Sequence, residues 1–175
     1  VWRKITNADK WFAVRLYRKI GENFNLLAKE AEIERFRLIV LSGLENALKL
    51  IEGEPPHLES ARLLTALANY IYWSSYVPAD ASRDQGEMEH YARAAVAMAE
   101  QLDAPVELSA ALEALANIYS AQGLIRERMQ VALRRQTLSL DPRFTDRREQ
   151  VNILCQVGEA LCSVGDYTQA LTHLL

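Results

Sequence analysis

The chain has 175 residues, 50% of them apolar and 25% charged, with a formal net charge of −3 and few glycines (7) or prolines (5). That length allows one domain with a sizeable core, and the abundance of Ala, Leu, Glu and Arg favours helices. No apolar run approaches the roughly 18 residues of a membrane span, and the opening VWRKITNADK lacks the apolar centre of a signal peptide.

Apolar residues at helical spacing predict a first helix over 9–29, separated by a break near Glu30–Glu32 from a second that ends at Ile51. Gly53 and Pro55-Pro56 stop the second. A third spans 58–77 and ends before Pro78, and the loop VPADASRDQ offers Ser82 or Asp84 as a cap for the fourth, EMEHYARAAVAMAEQL. Asp103 and Pro105 mark the start of the fifth, which runs to Gln122 with Gly123 as its turn. The sixth, LIRERMQVALRRQTLSL, halts at Asp141-Pro142. Thr145 caps a seventh that ends at Gly165, and an eighth begins at Tyr167.

Nearly the same phrase occurs twice, LTALANYIYW from Leu64 and LEALANIYSA from Leu112. It belongs to a longer register in which Gly21, Ala68, Ala116 and Gly158 recur at intervals of 47, 48 and 42. Four residues before each lie Tyr17, Leu64, Leu112 and Leu154; one before, Ile20, Leu67, Leu115 and Val157; three after, Phe24, Ile71, Tyr119 and Leu161. Those offsets share one helix face, and a small residue on it lets a partner helix approach closely. The pattern describes the buried seam of a repeated helical hairpin.

The final unit, LCQVGEALCSVGDYTQALTHL, resembles a tetratricopeptide repeat, with Val157-Gly158 and Leu161 on its first helix, Gly165 and Tyr167 at the turn and Ala170 on its second. LEALANIYSAQGLIRERMQVAL follows the same pattern through Gly123, with Arg128 where that family has a small residue. The spacing exceeds the family's 34 residues or so, as in the long-repeat helical regions of large bacterial transcriptional regulators and signalling ATPases. The resemblance implies an all-α, right-handed solenoid of four hairpins, with units at about 8–52, 57–103, 104–140 and 144–175. It also implies recognition of a protein or peptide, in a sensor or interaction region of a larger protein.

The opening at Val and the stop at THLL inside a helical pattern read as a piece of a longer chain. A further hairpin is expected beyond Leu175, since without one the seventh helix would expose part of its stripe at Leu154, Val157 and Leu161.

Chemistry is sparse. Cys155 and Cys162 lie two turns apart, about 10 Å, too far to share a metal or a disulfide, and read as small apolar residues. Two cysteines with no secretory segment fit a reducing compartment, the cytoplasm. His57, His90 and His173 have no second ligand at metal spacing and read as surface histidines, and Glu87 and Glu89 suit the first turn of a helix. There is no glycine-rich phosphate loop, no G-x-S-x-G and no H-E-x-x-H. No enzyme, cofactor or metal site is expected.

In a tetratricopeptide-like stack the first helices of the hairpins line a groove, which here draws on Arg62, Thr65, Asn69, Tyr72, Trp73, Glu113, Asn117 and Ser120. Asn69 and Asn117 recur directly after the small residue, and a carboxamide both donates to and accepts from a peptide backbone. Tyr72 and Trp73 offer rigid contact area.

Charge is blocked along the chain. Residues 1–20 hold six Lys/Arg against one acid, 41–110 four against eleven, and 126–148 seven Arg against three acids. Arg134, Arg135, Arg147 and Arg148 are expected to form an exposed basic patch. With only Phe144 interleaved, nucleic acid is not the expected partner. The expected partners are a protein, a peptide or another domain of a longer chain, with self-association as the alternative reading.

Overall fold

A computed structural model describes residues 7–23, 33–74, 85–145 and 147–174. Among the described residues there are eight helices and no strand: α1 (Asn7–Glu22), α2 (Ile33–Leu50), α3 (Leu58–Ser74), α4 (Gln85–Gln101), α5 (Pro105–Ala121), α6 (Ile125–Leu138), α7 (Arg147–Ser163) and α8 (Tyr167–Leu174). The fold is all-α. No described helix is long and apolar enough to cross a membrane.

The predicted punctuation recurs at the helix ends. α3 begins at residue 58 as the spacing requires, and α5 opens on Pro105, whose missing N–H is not needed in a first turn. Gly123 and Gly165 adopt φ of +70° and +82°, a region that β-carbons disfavour. Each closes its helix with the same bond, Leu124 N to Tyr119 O at 2.9 Å and Asp166 N to Leu161 O at 3.0 Å. The far part of the expected first helix, the break at Glu30–Glu32, the end of the third helix at 75–77 and the caps Ser82 and Asp84 lie outside the described residues.

Each helix packs on its neighbours in the chain, and α3 also packs on α1 and α5. The small seam residues allow this. Ala68, Ala116 and Gly158 are buried, and a β-carbon on Gly21 would stand 3.0 Å from the Leu44 methyls of α2. One apolar core, with Val14, Leu44, Leu67, Ile71, Met88, Leu112 and Ile118, runs through α1–α5. A smaller one joins Ala132, Val157, Ala160, Leu161 and Ala170 across α6–α8. Each large side chain so buried contributes roughly 1.5–3 kcal/mol. Val157 and Leu161, expected to be partly open, are therefore buried in this α6–α8 cluster, whereas Leu154 remains partly exposed.

Candidate functional site: a charged groove along the odd-numbered helices

The side chains that join α1, α3, α5 and α7 are charged. Glu59, in the first turn of α3, has almost no exposed surface. It accepts from Arg18 Nε of α1 at 3.1 Å and from Arg62 Nη1 at 2.8 Å, with Arg15 Nε 3.4 Å away. Burial pushes its carboxyl upward, but Arg18 and Arg62 outweigh that and hold it below the usual value of 4.5. Arg62 then reaches forward, donating from Nε to Glu107 Oε1 of α5 at 2.9 Å. Next to this start, His57 stacks on Trp11 at 3.8 Å and accepts the Glu59 N–H on Nδ1 at 3.1 Å, so it is a helix-capping residue rather than a plain surface one.

Between α5 and α7 the joint is built around Arg135, from α6, which has no exposed surface. Its guanidinium donates to Ser109 Oγ at 2.9 Å, Gln156 Oε1 at 2.6 Å and Glu113 Oε2 at 3.0 Å, and also to Glu149. Asn152 Nδ2 donates to Glu113 Oε1 at 3.0 Å, so Glu113 bridges α6 and α7. A cation out of reach of water needs this many acceptors to offset its lost hydration.

Two clefts open along these joints. The first, about 300 Å³, is lined by Arg18, Glu22, Arg62, Thr65, Asn69 and Glu107, with Val106 and Ala110. The second, about 430 Å³, is lined by Val106, Ala110, Glu113, Arg143, Phe144, Thr145 and Glu149. Val106 and Ala110 line both, so the two clefts adjoin on α5, one toward α1 and α3 and the other toward the start of α7. At its rim Arg143 is clamped by Asp103 (Nη1 to Oδ2, 2.9 Å) and Asp141 (Nη2 to Oδ2, 2.7 Å). Side-chain and backbone bonds from Arg143 hold the Asp141 carboxyl at about 2.

Of the groove residues expected from the sequence, Arg62, Thr65 and Asn69 line the first cleft and Glu113 the second. Thr65 is buried and its hydroxyl donates to Ala61 O at 3.0 Å. Tyr72, Trp73, Asn117 and Ser120 line neither cleft. Tyr72 is buried and Trp73 is exposed, edge to face with it at 5.0 Å. Asn117 is half-buried and Ser120 exposed, both in the C-terminal half of α5.

Of the four arginines expected in an exposed patch, Arg135 is the correction: it is buried and points into the carboxylate cluster. Arg134, which pairs with Glu100 of its own chain, and Arg147 and Arg148, at the start of α7, are exposed. Cys155 and Cys162, read as small apolar residues, are free and exposed.

The acids that hold the joints were missed. Glu59, Glu107 and Glu149 each stand nine residues before the small seam residue, at Ala68, Ala116 and Gly158. That periodicity was available. A first-turn acid is ordinarily explained by the helix dipole, which hides its second role.

Among the described residues no group of three or more His, Cys, Asp or Glu is arranged to hold a metal ion. No protein-family model matches the chain, and no curated protein is significantly similar to it.

Proposed function

We propose that the chain is a tetratricopeptide-like solenoid that binds an extended peptide or protein segment in the groove over α1, α3, α5 and α7, without catalysing a reaction on it. The observation that supports this reading is that the two clefts adjoin at Val106 and Ala110. A groove with an apolar floor and polar walls suits a strand-like ligand, which needs pockets for alternate side chains and hydrogen bonds for its backbone.

The wall chemistry supports binding over catalysis. Glu107 is engaged by Arg62, and Glu113 and Glu149 by Arg135, so these carboxylates are already committed as acceptors. Asn69 is the wall residue whose carboxamide makes no side-chain hydrogen bond among the described residues and can serve a ligand backbone.

The test is to select binders from a random peptide library and measure their affinity for the Val106→Glu variant. Val106 is exposed, so the variant should fold normally by circular dichroism. Placing a charge on the floor should weaken binding at least about tenfold, as truncating a central contact does. Peptides that bind the variant as tightly as the original chain would refute the groove as the site.

A further inference from the structure

The two adjoining clefts present charge differently to whatever enters them. In the first, each acid of the lining meets a cation of the same lining, Glu22 on Arg18 and Glu107 on Arg62. In the second, the acids lie over their cation instead of beside it. Glu113 and Glu149 line this cleft with 32% and 25% of their side chains exposed. Arg135, which holds both, has no exposed surface and is not part of the lining. A ligand in the second cleft therefore meets the carboxylates and not the guanidinium that keeps them together.

The two carboxylates also converge. Both accept from the same Arg135 Nη2, Glu113 at 3.0 Å. Asn152 Nδ2 likewise donates to Glu113 Oε1 at 3.0 Å and to Glu149 Oε2 at 3.5 Å. Acids within reach of one nitrogen on the buried side are close enough to share one cation on the open side. A carboxylate oxygen accepts more than one hydrogen bond, and a single guanidinium offsets one of the two negative charges. Arg143, the cation that does line the cleft, is itself held by Asp103 and Asp141 at the rim.

Between the rim and the carboxylates the lining is apolar, from Val106, Ala110 and Phe144. Apolar walls leading to a pair of carboxylates suit a side chain with a long methylene stem and a cationic head. A guanidinium fits such a pair better than an ammonium, because its planar fork presents several N–H groups in fixed directions.

On the reading that a peptide lies in this groove, we propose that the second cleft selects a cationic side chain of that peptide, arginine before lysine. Its stem lies along Val106, Ala110 and Phe144 and its head donates to Glu113 and Glu149. The first cleft, whose acids are matched within the lining, makes no such demand.

The test uses the library-selected peptides and, first, no variant of the chain. Binders should share one arginine or lysine. Replacing it with citrulline or norleucine, which remove the charge and keep the stem, should weaken binding about tenfold or more, the range of a hydrogen bond to a charged group. Thr145 is exposed and lines the second cleft, so Thr145→Lys should keep its helix content by circular dichroism. That variant should bind the cationic peptide more weakly and its neutral version as before. Binders that Val106→Glu weakens but that share no cation would overturn this assignment and leave the groove standing. Equal affinity of the cationic and neutral peptides would do the same, as would equal losses of both on Thr145→Lys. Binders indifferent to Val106→Glu would refute the groove and this assignment together.

Discussion

The Arg135 guanidinium, sealed from solvent, donates from Nη2 to Glu113 Oε2 at 3.0 Å and so ties α6 to α5. Removing Arg135 leaves Glu113 and Glu149, half-buried at 32% and 25% side-chain exposure, side by side without their cation. Arg135→Met should therefore destabilise the fold, by less than the roughly 3–5 kcal/mol of a fully buried broken pair, measured by urea unfolding. Adding Glu113→Gln and Glu149→Gln to it should restore part of that loss. No recovery in the triple variant would show that packing, not charge, holds the joint.

Acid should loosen the α1–α3 joint through Glu59. Its folded-state carboxyl lies below the usual 4.5, so the stability it contributes is complete above that value and declines as pH falls through the lowered one. Unfolding free energies followed from about pH 6 to about pH 3 should fall more steeply for the original chain than for Glu59→Gln. Equal slopes would remove Glu59 from the account.

Gly123 has φ of +70° and nothing within 4 Å of where a β-carbon would stand. Gly123→Ala should thus cost only the left-handed backbone penalty, about 1–2 kcal/mol, and Gly123→Asn less than that. Thermal melts of the two variants decide it, and an unchanged Gly123→Ala would mean the turn relaxes.

Much of the fold was legible because it rests on local signals: helical spacing, Pro105 at a first turn, Gly123 and Gly165 past helix ends. The seam was legible because a close helix approach demands a small residue once per unit, as Gly21 against Leu44 illustrates. The site was read less well. Thr65 and Asn69 follow from that register, but Trp73 and Ser120 lie too far along their helices to meet the clefts. Arg135 was misread because seven arginines in one segment suggest a solvated face. Yet Arg135 stands three residues after the buried Ala132, on the same side of α6, which was the signal for an inward cation.

The central claim is that ligands lie in the groove over Val106 and Ala110, and backbone amide shift mapping of the labelled chain with a library-selected peptide tests it most directly. The account predicts that the largest shifts fall on Asn69, Val106, Ala110 and Glu113, with α2 and α4 little changed. Shifts concentrated on α2, α4 or the outer side of α6, with the groove amides unmoved, would contradict it.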